Sequence, residues 1–206
     1  MAALRVSAIV LAAGQSRRMG ARNKLLLEAG GQPIIRRSVE AVLGIDPVET
    51  IIVTGYGACD IAVALAGLPI RLVHNPRYED GQPGSVAAGV RALAAPCHAV
   101  MIVPGDQALL TPDCLNALVE AFRRETDRSI LVPYHCGRRG NPILFAAFHC
   151  PDVTGGGLNI GCRHLIETRG DQVARIEFAA DSYVFDCDTP EDYAALQRRI
   201  AAEAQP

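Results

Sequence analysis

The chain has 206 residues, half of them hydrophobic, which is enough for one substantial core. Twenty Lys and Arg against 22 Asp and Glu leave a formal charge of −2, so no global basic field calls for nucleic acid. No apolar run has transmembrane length, residues 6–13 have only Arg5 before them and a polar glycine loop directly after, so no secretory leader is expected, and seven scattered cysteines without a CxxC pair read as free thiols of a reducing compartment.

In chain order, residues 5–12 read as a fully buried strand and 33–43 as a helix opened by Pro33. Strand follows at 49–55, a short helix at 58–67 ending on Gly67, and a third strand at 70–75. Residues 85–95 are helical in pattern, and "HAVMIVPGD" (98–106) is a fourth strand running into an aspartate. The segment 111–124 is an amphipathic helix with Thr111 as N-cap and Pro112 in its first turn. Four strand–helix units of this kind predict an α/β fold, three layers with a mostly parallel central sheet covered on both faces.

Beyond residue 124 the pattern is less regular. Strands are expected at 129–134 and 142–148, a helix at 162–168, and short strands near 172–178 and 183–186. A closing helix at 189–204 has Thr189 as N-cap and Asp192 three residues on. This half is expected to extend the same sheet with a small antiparallel part. No linker or internal repeat interrupts the sequence, so one domain over 1–206 is expected. Ligands of such sheets bind beyond the carboxyl ends of the strands, so the loops at 12–24, 75–85 and 104–110 should share one rim.

The loop in "VSAIVLAAGQSRRMGARNK" (6–24) carries Gly14 and Gly20 but neither GxGxxG nor GxxxxGK[ST]. It is nevertheless suited to phosphates. Ala12, Ala13 and Gly14 let backbone approach a ligand, and consecutive amides form an anion-binding concavity. Arg17, Arg18 and Lys24 add positive charge. Asp106, just past the fourth strand, is a natural oxygen ligand for a hard cation. Asp186 and Asp188, flanking Cys187, would share one face of a strand. The five histidines show no base–nucleophile grouping.

"LAAGQSRRMGARNK" resembles the signature loop LAAGxSxRMGxxK of the molybdenum-cofactor nucleotidyltransferase-like family, with "LAAG" (11–14) in the cytidylyltransferase form. The stretches "NPRYEDGQPGSVAAGV" (75–90), "VPGDQ" (103–107), "GRRGNPILF" (137–145) and "FDCDTPEDY" (185–193) carry the same resemblance in the same order. It implies a Rossmann-like nucleotidyltransferase fold, with a nucleotide-binding half at about 1–110 and an acceptor-binding half at about 111–206. It implies Mg²⁺-dependent transfer of CMP from CTP to the terminal phosphate of molybdopterin, with Mn²⁺ as the alternative metal. Arg18, Lys24 and Asp106 would be catalytic, with Asp106 and Asp188 on the metal. Leu11, Ala12, Ala13, Gly14, Ser16, Gly20, Lys24, Asn75, Gln82, Ser85 and Asn141 would bind the substrates.

Three departures from the family pattern fall in the base and acceptor regions. "GQPGS" (81–85) stands for GMSSS, Asn141 for a common His, and "LNIGCR" (158–163) for a GDxGAR-like stretch, which turns an acid into Asn159. Ala108 stands where the family has Pro. These leave open another NTP, another phosphorylated acceptor, or a non-catalytic carrier of the cofactor. The expected setting is cytoplasmic, without membrane or nucleic acid, as a monomer or weak dimer. The implied protein partner is a xanthine dehydrogenase-type hydroxylase or its maturation factor.

Overall fold

A computed structural model describes residues 4–16, 23–155 and 161–203. Strand β1 (Val6–Ala12) is buried along its whole length. Short strands β2 (Glu28–Ala29) and β3 (Gln32–Pro33) form a small hairpin before helix α1 (Ile34–Leu43). Then come β4 (Glu49–Thr54), α2 (Ala58–Ala64), β5 (Arg71–His74), α3 (Gln82–Arg91), β6 (Ala99–Pro104) and α4 (Pro112–Arg124). The remainder comprises β7 (Ile130–His135), β8 (Arg138–Arg139), β9 (Ile143–Ala146), α5 (Cys150–Thr154), α6 (Cys162–Thr168), β10 (Val173–Glu177) and α7 (Pro190–Glu203).

The sheet runs β10-β7-β9-β6-β1-β4-β5, with β8 hung on β7. Strands β5, β4, β1 and β6 are parallel. Strand β9 is antiparallel to both neighbours, so the antiparallel part lies inside the sheet, with β8 a short addition. Alternate residues of the central strands enter two cores. Ala8, Val10, Ile52 and Met101 pack with Ile35 of α1, Ile61 of α2, Leu118 of α4 and Leu196 of α7. Ile9, Leu11, Val53 and Ile102 pack with Val86 of α3, Val153 of α5 and Leu165 of α6. Burial on both faces is why these strands read as continuous apolar runs.

Two N-caps read from sequence form as expected, whereas α2 ends at Ala64 with Leu65 as its C-cap rather than on Gly67. Thr111 Oγ1 accepts from Cys114 N at 3.2 Å. Asp192 Oδ2 accepts from Thr189 N at 2.9 Å while Thr189 Oγ1 accepts from Asp192 N at 3.1 Å, a reciprocal box at the start of α7. Helix α3 starts three residues before the expected point, because Pro83 fits the first turn, where no intrahelical N–H bond is lost. The expected strand at 183–186 is instead a 3-10 turn, Asp181–Val184. Its Tyr183 and Val184 are buried by packing rather than by strand pairing. Among the described residues no helix is long and apolar enough to cross a membrane.

Consecutive connections carry the chain from β1 to β4 and β5 on one side and back to β6 on the other. The strand order therefore reverses beside β1, where open α/β sheets have their crevice.

Candidate active site

The loops after β1 and β6 and the segment leading into α3 do share one rim. They surround a cavity of about 400 Å³ lined by Ala13, Gly14, Gln15, Ser16 and Lys24 on one side. Tyr78, Glu79, Gly81, Gln82 and Ser85 form a second wall, and Pro104, Gly105 and Asp106 a third, with Leu11 and Leu25 at the base. Gly105 permits this closeness. A Cβ there would lie 2.7 Å from Ile35 Cδ1 and 2.8 Å from Leu11 O, and Gly105 N already donates to that carbonyl at 3.0 Å.

Lys24 opens a 3-10 turn, Lys24–Leu26, capped by Asn23, whose Oδ1 accepts from Leu25 N at 3.1 Å. Ser16, in the left-handed region at φ 51°, accepts from Lys24 N through Oγ at 3.1 Å. The ammonium of Lys24 donates to Asp106 Oδ2 and, at 2.5 Å, to Asp188 Oδ1. Burial works against its charge, but the two carboxylates outweigh burial and hold its pKa above the ordinary lysine value. Asp106 is buried, and its Oδ1 has no hydrogen-bond partner among the described residues. Asp186 stands close enough that burial, with the charges of Asp106 and Asp188, pushes its carboxyl up to about 6.

Two carboxylates already converge on one cation here, and one of their oxygens is buried and unpaired among the described residues. That donor set fits Mg²⁺, which prefers oxygen and takes one or two carboxylates together with phosphate oxygens and water. Among the described residues no cluster of three or more His, Cys, Asp or Glu is arranged to hold a metal.

A second cavity of about 510 Å³ adjoins the first, sharing Leu11, Gln82 and Pro104. Its apolar wall is Pro83, Val86, Ile102 and Ile143, and its polar rim holds Arg139, Asn141, Cys162 and Arg163. Arg138 turns away and reaches Val184 O at 3.5 Å. Burial pushes the Cys162 thiol up to about 12, so it stays neutral.

The structure brings together most of the residues singled out in the sequence but displaces two. Ala12 is fully buried in the core beneath the loop, and Ala13 is the member of that pair that lines the cavity. Asn75 lines neither cavity. It is 5% exposed, donates to Ser85 Oγ at 3.0 Å and accepts from Arg77 N at 3.0 Å, so it braces the rim from behind. Arg17, Arg18 and Gly20 lie outside the described residues, as do Leu158 and Asn159. Ala108 is fully buried, and its carbonyl accepts from Arg37 Nε at 2.8 Å. Sequence reasoning missed Gln15 and Glu79, which hydrogen-bond across the mouth of the first cavity at 3.0 Å. Their only signal was their place in the two rim loops.

A doubly covered sheet with a lysine–dicarboxylate centre at its reversal point has the architecture of a Rossmann-like nucleotidyltransferase fold. The chain belongs to the MobA-like NTP transferase domain family, whose pattern matches residues 8–173. It is 29% identical over 203 residues to the molybdenum cofactor cytidylyltransferase of Escherichia coli (strain K12), covering 94% of this chain and 96% of that protein. It is 33% identical over 129 residues to the bifunctional protein GlmU of Rhodospirillum rubrum, covering 62% of this chain but 28% of that one, so it spans little more than a quarter of that relative's length. The fold matches a nucleotidyl transferase from Methanothermobacter thermautotroptrophicus with a TM-score of 0.83 at 24% identity, covering 97% of this chain and 99% of that chain.

Proposed function

We propose that the protein transfers CMP from CTP to the terminal phosphate of molybdopterin, releasing pyrophosphate and forming the cytosine dinucleotide cofactor. The observation that carries this reading is the placement of Lys24, Asp106 and Asp188 beside one cavity that adjoins a second. Similarity to the E. coli cytidylyltransferase along nearly the whole chain, and "LAAG" at 11–14, support the choice of donor and acceptor.

In this reading the first cavity takes the nucleotide. The loop backbone around Gly14 and the charge of Lys24 meet its phosphates, with Arg18 contributing from the same loop. Asp106 and Asp188 would hold Mg²⁺, or Mn²⁺ in its place, which supplies charge neutralisation on the phosphates. The second cavity takes the acceptor, with Arg139 and Asn141 at its rim. An oxygen of the acceptor phosphate attacks the α-phosphorus of CTP in line, a P–O bond forms, and the bond to pyrophosphate breaks. The attacking phosphate is ionised near neutral pH, so positioning and electrostatics suffice without a strong general base. The product would pass to a xanthine dehydrogenase-type hydroxylase or its maturation factor in the cytoplasm.

The test is pyrophosphate release from purified protein with Mg²⁺, comparing CTP and GTP, each with and without molybdopterin, with Asp106→Ala as background. Release that needs both CTP and molybdopterin supports the reading. Release with GTP, or with a phosphosugar in place of molybdopterin, replaces the donor or the acceptor. No release from folded protein with any donor removes the catalytic reading in favour of a carrier.

A further inference from the structure

We infer that Gln107 is a positioning residue that sets the two carboxylates and the second cavity in register. This rests on the proposed transfer reaction and deepens it. Gln107 follows Asp106 directly and is fully buried. Its Nε2 donates to Tyr183 O at 3.2 Å and to Asn141 O at 3.5 Å. Asn141 N donates to the same Tyr183 carbonyl at 2.8 Å. One side chain thus joins three segments: the loop that carries Asp106, the Gly140–Asn141 wall of the second cavity, and the turn that runs on to Asp186 and Asp188.

The packing at this junction admits little slack. A Cβ on Gly140 would lie 2.4 Å from Tyr183 O, so the hairpin wall and the turn are already in backbone contact. Tyr183 is anchored from the other side, where its hydroxyl donates to Cys114 O at 2.7 Å. With the turn held at Tyr183, the Gln107 amide determines how far the Asp106 loop stands from it. Lys24 spans that same gap from the solvent side, between Asp106 and Asp188.

The buried amide of Gln107 is only half satisfied, through Nε2. Among the described residues its Oε1 is buried without a partner, and an unpaired buried polar atom costs free energy that an apolar side chain of the same length avoids. The donors of Nε2 are what the position uses.

The experiment compares Gln107→Met, which keeps the length and loses the amide, with Gln107→Asn, which keeps the amide but is too short to reach both carbonyls. Each is measured for melting temperature, for Mn²⁺ affinity of the substrate-free protein by electron paramagnetic resonance, and for steady-state pyrophosphate release. Both variants are expected to melt about 2–8 °C below the parent and to stay folded at the assay temperature. Their Mn²⁺ affinity should fall about tenfold. Their kcat should fall about 100-fold while the KM for nucleotide stays near the parental value. Parental Mn²⁺ affinity and kcat in either folded variant would overturn the assignment, as would activity losses that only track lost melting temperature. A parent that binds Mn²⁺ but releases no pyrophosphate with any donor removes the proposed function instead, and the Mn²⁺ titrations still decide the role of Gln107.

Discussion

Lys24 and Asp188 are 164 positions apart in sequence and 2.5 Å apart in space, with Asp106 on the other side of the same ammonium. The contact joins the loop after the first strand to the segment before the last helix. A positive charge thereby occupies the point where two carboxylates would otherwise repel each other.

Replacing Lys24 by Met should act in opposite directions on metal and on turnover. The substrate-free protein should bind Mn²⁺ more tightly, because two carboxylates lose their internal cation; electron paramagnetic resonance titration measures this. Pyrophosphate release should fall about 100-fold or more, because a donor to the phosphates is lost. Unchanged Mn²⁺ affinity would mean that Lys24 and the metal do not share these ligands.

Gly105→Ala should destabilise the fold and displace Asp106 together. The new methyl group meets Ile35 Cδ1 at 2.7 Å and the backbone carbonyl of Leu11 at 2.8 Å, and the carbonyl belongs to a central strand that cannot give way. Overpacking of this kind costs about 1–3 kcal/mol, which urea denaturation would register as a lower midpoint.

Asn75→Ala should raise the nucleotide KM through Ser85 rather than through direct contact. It removes the donor to Ser85 Oγ and leaves Arg77 N without its side-chain acceptor. The stability loss should be about 1–2 kcal/mol. A parental KM in the folded variant would detach the brace behind the rim from nucleotide binding.

Arg199→Gln should change the acid side of the stability profile. The Arg199 hydrogen bonds to Asp181, partly opposed by burial, hold that carboxyl below its ordinary value of 3.8. A depressed folded pKa contributes stability above the unfolded value and loses it as pH falls through the folded one. The stability gap between parent and variant should therefore be present near neutral pH and shrink below about pH 4. Both side chains are substantially exposed, so the gap should be small and reduced by salt. A gap that stays constant down to acid would assign the Arg199 contribution to its placement 5.4 Å over the Phe185 ring.

Much of this protein is legible in local pattern. Fully buried strands announce themselves as unbroken apolar runs because both faces of the sheet are covered, and Thr111 and Thr189 mark their helices because a hydroxyl must satisfy amides that the helix leaves unpaired. The glycine loop after β1 and the aspartate after β6 were visible for the same reason, since each sits within a few residues of a recognisable strand end. Tertiary structure alone decided the rest. A continuous apolar run carries no period, so sequence could not say that Ala12 belongs to the core and Ala13 to the cavity. Nor does local pattern show which strand lies beside which, so β9 enters between β6 and β7 without any signal in its own residues. Asn75 reads as a turn residue by type, yet packing directs it inward onto Ser85. The junction of Gln107, Asn141 and Tyr183, like the meeting of Lys24 with Asp188, joins segments far apart in the chain. Such contacts exist only once the strand order has brought those segments to one end of the sheet.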